Sequence, residues 1–343
     1  MSEQKIKFAV VGQGHIGKRH AEMVRRNPNA QLIAVCDVLG KTETGNEAVA
    51  EPYYNSLDEL LTSHPEIEVV NVCTPNGLHA EHALSALRAG KHAVVEKPMA
   101  LQRKDCEEII YAALQNNKQV FCVMQNRYSP PAVWLKNVIE EKIIGDLYMV
   151  QLNCYWNRDQ RYYKKGSWKG TQQLDGGTLF TQFSHWIDLL YWLFGDITDI
   201  QAKFADFNHE QLTEFEDSGF VNFRFVGGGM GSINYSTAVW DKNLESSITV
   251  VGSKGSVKVG GQYMDQVEYC HINDYSMPEL EATAPANDYG AYKGSANNHN
   301  QLIQNVIDTL TGKTTITTNA LEGMKVVDII ERIYSFRKPN RKS

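Results

Sequence analysis

In the first third of the chain, apolar residues fall into short, nearly unbroken runs separated by amphipathic stretches. Runs beginning at Ile6 and covering Gln31 to Cys36, Val69 to Cys73, His92 to Val95 and Gln119 to Val123 read as buried strands. The intervening stretches His20 to Arg26, Leu57 to Ser63, His79 to Arg88 and Arg103 to Asn116 read as helices. Strand and helix in alternation predict a parallel, doubly wound sheet. Tyr128-Ser129-Pro130-Pro131 is expected to interrupt regular structure, and Trp134 to Glu141 reads as a helix stopped at Gly145-Asp146. Beyond it the period changes to two. Tyr148 to Tyr155, Ile200 to Phe207, Ser218 to Phe225, Gly229 to Ser236, Ser246 to Val251 and Ser256 to Val259 predict an antiparallel sheet. Within that region Thr181 to Leu193 carries an apolar stripe at helical spacing, Phe183, Trp186, Ile187, Leu190 and Leu193. Helices over Asn298 to Leu310 and Ala320 to Phe336 complete the pattern. The expected fold is an α/β domain over residues 1–127 followed by an α+β domain over 128–343 with a large, open, mostly antiparallel sheet.

Candidate chemistry begins where the first strand ends. Gly12, Gly14 and Gly17 follow it in Gly-x-Gly-x-x-Gly spacing and lead into a helix. The three glycines serve a tight turn, close approach of backbone to phosphate, and close packing of helix on strand, respectively. The N–H groups and positive dipole end of that helix then face a pyrophosphate. Asp37 ends the next strand, twenty residues past Gly17, where a carboxylate accepts both hydroxyls of an adenosine ribose and repels a 2'-phosphate. NAD is therefore expected rather than NADP. Ligands of such a sheet lie beyond the carboxyl ends of its strands. Thr74, Pro75, Asn76 and His79 stand at one strand end, and Glu96, Lys97 and Pro98 at the next. A lysine just past a buried strand is a candidate proton donor or acceptor. The spacing of His79, Glu81 and His82 resembles a metal site, but no third ligand cluster accompanies it and no metal is expected.

Charge and cysteine content narrow the class. The 343 residues carry a formal net charge of −6 with no run of like charge, so neither nucleic acid nor an anionic membrane is an expected partner. Six cysteines are scattered without a Cys-x-x-Cys pair, the pattern of reduced thiols in a cytoplasmic protein. The N-terminus runs directly into a strand, so no cleavable signal is expected. No apolar run approaches the roughly 20 residues that span a bilayer.

The stretch Tyr155 to Asp188 is dense in cations and rings. It holds Arg158, Arg161, Lys164, Lys165 and Lys169 amid Trp156, Tyr162, Tyr163 and Trp168. That mixture suits an anionic ligand with a sugar-like body, although a solvated basic loop would look the same. His185 follows Gly176-Gly177 on a helix and is a candidate general base, with Asp188 one turn on as an orienting group.

Together VVGQGHIGKRH, VCDV, CTPNGLH, EKPM, QNR, the SHWIDLL helix and VVGSKGSVKV resemble the glucose-fructose oxidoreductase and inositol dehydrogenase (Gfo/Idh/MocA) family over nearly the whole chain. The resemblance implies an N-terminal Rossmann domain, a C-terminal α+β domain, and NAD(P)-dependent oxidation of sugars or cyclitols. It implies that Lys97 and His185 are the active-site pair. Many members place an aspartate four residues before the histidine; Thr181 stands there, which shifts the base role to His185 with Lys97. Implied cofactor contacts are Gly12, Gly14, His15, Ile16 and Gly17, with Asp37 on the adenosine ribose. Near the nicotinamide ribose they are Thr74, Pro75, Asn76, His79 and Glu96, joined by Lys97, Asn126 and Trp168. Substrate contacts are expected from Lys97, Gln125, Arg158, Arg161, Lys169, Gln182 and His185.

Within the family, YWNRDQRYYKKGSWKGTQQLDGGTLFTQFSHWIDLLYWLFG and KNLESSITVVGSKGSVKVGG are most similar to the bacterial UDP-N-acetylglucosaminuronate 3-dehydrogenases. That similarity implies an anionic nucleotide sugar as substrate, a place in surface polysaccharide synthesis, and a dimer or tetramer. Two alternatives stay open at this point. A free-sugar or inositol dehydrogenase would leave the basic cluster idle, and a non-catalytic NAD-binding regulator would not need Lys97 and His185.

Overall fold

The structure, a computed structural model, describes residues 5–283, 285–288, 293–296 and 298–337. By contacts the chain divides into two units, Met1–Met124 with His299–Val327, and Gln125–Asn298 with Asp328–Ser343.

The first unit alternates as its hydrophobic pattern demands: β1 (Ile6–Val11), α1 (His15–Arg26), β2 (Ala30–Cys36), β3 (Tyr53–Tyr54), α2 (Leu57–Ser63), β4 (Val69–Val72), α3 (His79–Arg88), β5 (His92–Val95), α4 (Arg103–Gln115) and β6 (Val120–Cys122). The strands form one parallel sheet in the order β3-β2-β1-β4-β5-β6. The order reverses direction between β1 and β4, so the loops after these two strands flank the topological switch point, where ligands of such sheets bind. β4 and β5 are buried on nearly every residue, as a sheet covered on both faces requires. α2 starts where the Ser56 hydroxyl accepts the Glu59 N–H, with Asp58 and Glu59 in its first turn favoured by the helix dipole.

The second unit contains α5 (Pro130–Glu140), β7 (Leu147–Tyr155), α6 (Thr178–Thr181), α7 (Ser184–Phe194), β8 (Ile197–Ala205), β9 (Ser218–Phe225), β10 (Met230–Ser236), β11 (Glu245–Gly252), β12 (Gly255–Gly260) and β13 (Gln266–Ile272). A small ribbon, β14 (Ala286–Asp288) and β15 (Lys293–Ala296), follows. The seven-stranded sheet runs β13-β12-β11-β7-β10-β9-β8 and is antiparallel except for the β7–β10 pair. Alternation along β9 is strict from Phe220 on: Val221, Phe223 and Phe225 are buried, while Phe220, Asn222 and Arg224 are exposed.

Several expectations change. Pro130 and Pro131 open α5 instead of breaking it, because the first turn of a helix has no use for their missing N–H groups. The helix expected over Thr181 to Leu193 is two, α6 and α7, parted at Phe183 (φ −118°, ψ 8°). β13 carries no clean alternation and escaped the period-two reading. Finally α8 (His299–Leu310) and the start of α9 (Ala320–Tyr334) belong with the first unit. The Asn27 side chain donates to Gln304 Oε1 at 2.9 Å, and the Cys122 N–H donates to Thr318 O at 3.0 Å, covering the edge of β6.

Candidate active site

The glycine loop between β1 and α1 shows why three glycines are needed. Gly12 adopts φ +88°, and a Cβ there would lie 2.5 Å from the Cys73 carbonyl oxygen. A Cβ on Gly17 would overlap the Gly12 carbonyl oxygen. Gly14 differs: among the described residues its Cβ would meet nothing within 4 Å, so backbone is open at the start of α1. No side chain caps that helix and no acidic residue occupies its first turn, which leaves its N–H groups and dipole directed at an incoming anion. His15 and Ile16 form this turn, His15 exposed and Ile16 half-buried. Asp37, half-buried at the end of β2, accepts the Gln13 N–H at 2.6 Å on Oδ2 and the Leu39 N–H at 3.0 Å on Oδ1, fixing the carboxylate beside the loop. These features fit a dinucleotide.

The turns after β4 and β5 are tied together by His79. Its Nδ1 lies 2.7 Å from Pro98 O and its Nε2 2.8 Å from Thr74 O. Burial pushes this imidazole down, against the pull of the two carbonyls. Thr74 and Pro75 are half-buried and Asn76 is buried. Lys97 is half-buried, joined to Pro98 by a cis peptide bond. Glu96 is buried, its carboxylate engaged by His20, His299 and the Lys97 N–H. Its geometry is that of an internal anchor, not of a group presented to a ribose.

In the second unit, Gln125, Asn126 and Arg127 form a buried turn before α5. Among the described residues, both side-chain amide atoms of Asn126 are buried without a hydrogen-bond partner, a bonding capacity that a ligand amide or hydroxyl would satisfy. Arg127 donates to both oxygens of Asp188, Nε to Oδ2 at 2.8 Å and Nη2 to Oδ1 at 2.6 Å, with both side chains fully buried. Asp188, expected to orient His185, is anchored on both oxygens by this fork. His185 is buried on α7, one residue after the start of that helix.

The basic, aromatic stretch is more internally committed than its composition implied. Arg158 is 2% exposed, stacked between Trp156 and Tyr162 at 4.6 and 5.2 Å from their ring centroids. Its Nε donates to Gln182 Oε1 at 2.8 Å, and its Nη1 to Asn157 O at 2.6 Å. Arg161 meets Asp159 and Asp241, so carboxylates offset its charge. Lys169 stands over the Tyr162 ring at 4.0 Å, and Trp168 is half-buried beside it. Tyr162, Tyr163 and Phe215 form a buried cluster, so two of the rings are core. Lys164 and Lys165 are exposed.

The chain matches two family models: an oxidoreductase family with an NAD-binding Rossmann fold over residues 6–124, and the GFO/IDH/MocA C-terminal domain over residues 133–258. The chain belongs to the GFO/IDH/MocA family. As a member it is an NAD-dependent sugar oxidoreductase. It is similar to the solved WlbA dehydrogenase from Bordetella pertussis in complex with NADH and UDP-GlcNAcA, at 31% identity, covering 97% of this chain and 96% of that one, with a TM-score of 0.86. The WlbA dehydrogenase from Chromobacterium violaceum, with the same ligands, gives 32% identity, 98% and 94% coverage, and a TM-score of 0.86. Levoglucosan dehydrogenase from Pseudarthrobacter phenanthrenivorans is 26% identical over 326 residues, covering 84% of this chain and 82% of that protein.

Three groups of this GFO/IDH/MocA chain escaped the sequence reading. His20 and His299 converge on Glu96 from 76 and 203 residues away, and no local pattern announces such a contact. Asp175, fully buried, accepts the Gly170 N–H at 2.7 Å on Oδ2 and the Thr181 hydroxyl on Oδ1. Burial lifts its carboxyl to about 6, against those hydrogen bonds and the nearby Lys169 charge. Its place directly before Gly176-Gly177 was the available signal.

Proposed function

We propose that this oxidoreductase oxidises the C3 hydroxyl of UDP-N-acetylglucosaminuronate to a ketone. The observation that carries the reading is the full-length likeness, above 30% identity, to two dehydrogenases solved with NADH and UDP-GlcNAcA. The site residues support it. The glycine loop and Asp37 would hold the dinucleotide, and NAD when bound supplies the hydride acceptor. Lys97 donates a hydrogen bond to the substrate oxygen as negative charge develops, an interaction stronger in the transition state than before it. His185 takes the hydroxyl proton. Lys169, together with Arg161 and Gln125, would meet the carboxylate and phosphates, and Arg158, buried against Trp156 and Tyr162 and bonded to Gln182, would add its positive charge behind them.

The same reading places the protein in the cytoplasm and in surface polysaccharide synthesis, as a dimer or tetramer. The oligomer would cover the outer sheet face, on which exposed Met149 and Met230 pair and exposed Phe220 lies further along, opposite Asn234. A second reading, oxidation of an uncharged sugar or cyclitol, is favoured by the pairing of Arg161 with acids and by the likeness to levoglucosan dehydrogenase.

Substitution tests both roles. Lys97→Met and His185→Asn should each lower kcat by about 100-fold or more with NADH affinity within a few-fold. Unchanged turnover in either variant removes that residue from the reaction.

A further inference from the structure

Three side chains distant in sequence meet at the carboxyl end of β5, all within the first unit. His20 on α1 places Nε2 3.0 Å from Glu96 Oε1 in a hydrogen bond, and His299, the first residue of α8, places Nε2 3.5 Å from the same oxygen, a polar contact without hydrogen-bond geometry. The two rings meet edge-on with centroids 5.4 Å apart, and both histidines are fully buried. The other carboxylate oxygen, Oε2, accepts the Lys97 N–H at 3.2 Å. Behind His20, Asn71 Nδ2 lies 3.0 Å from Nδ1; with the amide so assigned, Nδ1 accepts and the ring proton sits on Nε2, facing Glu96.

We propose that His20 and His299 are positioning residues for Lys97, acting through Glu96. The role rests on the assignment of Lys97 made above. A carboxyl group buried alone takes up a proton and becomes a poor acceptor. Burial pushes Glu96 in that direction, and the two imidazoles outweigh it, holding the carboxylate well below the ordinary range. An ionised Oε2 is then a strong, directional acceptor for the Lys97 N–H, which sets the course of the backbone from which the lysine side chain departs. Since His20 lies on the helix whose N-terminus faces the dinucleotide, one network joins the cofactor loop to the lysine turn. Other charged or titratable neighbours of the cluster are Arg19 on α1, Cys73 after β4 and His79 on α3.

The same three side chains could ligate a cation, their ligand atoms lying within 4.8 Å of one another. The 3.0 Å contact from His20 to Glu96 is a hydrogen-bond length and favours a proton between them.

The test compares His299→Leu, which takes the polar ring from beside Glu96, with His299→Gln, which returns a polar side chain there. In the full-length protein, the amide proton of Lys97 is followed by NMR and hydrogen exchange, readings that require no substrate. His299→Leu should lose the hydrogen-bonded shift of that amide and raise its exchange rate about tenfold, and His299→Gln should restore most of both. With a working substrate, kcat should fall about tenfold in His299→Leu and recover in His299→Gln, with NADH affinity within about threefold throughout. A Lys97 amide indifferent to His299→Leu overturns the proposal, as does a stoichiometric metal ion in the purified protein. An amide that responds while Lys97→Met leaves turnover intact would keep the network and discard the role of Lys97 in the reaction.

Discussion

Replacing Asp175 by asparagine tests how the segment before α6 is held. The carboxyl is fully buried between the Gly170 N–H and the Thr181 hydroxyl, and burial raises it from the ordinary 3.8 to about 6. The sign follows from linkage. A carboxyl with raised affinity binds more protons folded than unfolded, so its contribution is full below about pH 4 and is lost as pH rises through about 6. The difference is about a hundredfold in proton affinity, on the order of 3 kcal/mol over the whole window. About 2 kcal/mol of that falls between pH 4.5 and 7.5. The substituted amide is neutral throughout, its oxygen accepting from Gly170 while the Thr181 hydroxyl turns to accept from its NH2. All six tryptophans lie between residues 134 and 240, so their fluorescence during urea unfolding reports on the second unit. Asp175→Asn should gain about 2 kcal/mol relative to the parent as pH goes from 4.5 to 7.5. A difference that stays constant within about 0.5 kcal/mol across that range would refute the burial argument.

Other outcomes follow from the same geometry. Asp188→Ala leaves the Arg127 guanidinium buried without its partner and should destabilise the second unit by about 3–5 kcal/mol, read from urea midpoints; a loss below about 1 kcal/mol would mean water reaches the arginine. Gly14→Ala should preserve the melting temperature but weaken NADH binding by tenfold or more, about 1.4 kcal/mol, whereas Gly17→Ala should also unfold the domain through its clash with the Gly12 carbonyl. Equal stability losses in the two would remove the distinction. Asp37→Ser should admit NADP, measured as a fall in the NAD-over-NADP preference, and an unchanged ratio would show that Asp37 is not the ribose discriminator.

How much of this was legible in sequence depended on the range of the interaction. The glycine loop, Asp37 and the strand-end lysine are local features, and β1 and β2 appear in the structure where hydrophobic pattern placed them, while α1 begins at His15, five residues before the expected His20. The seven-stranded sheet was legible through alternation, and β13 was missed where alternation fails. Pro130-Pro131 was misread because proline stops a helix interior yet suits a helix start. The packing of α8 against α1 depends on pairs such as Asn27 with Gln304, which no periodicity encodes. For the same reason the cations near Arg158 looked free in sequence, whereas Asp159, Asp241 and Gln182 occupy much of their bonding in the fold.

The most direct measurement is reduction of NAD, followed by absorbance of the reduced nicotinamide, with purified protein and four substrates offered separately: UDP-N-acetylglucosaminuronate, UDP-N-acetylglucosamine, myo-inositol and glucose. Single-turnover signals count, since slow release of NADH would hide a steady state. Reduction with the uronate and not with the other three is the expected result. Reduction with inositol or glucose, and none with the uronate, would contradict the nucleotide-sugar assignment.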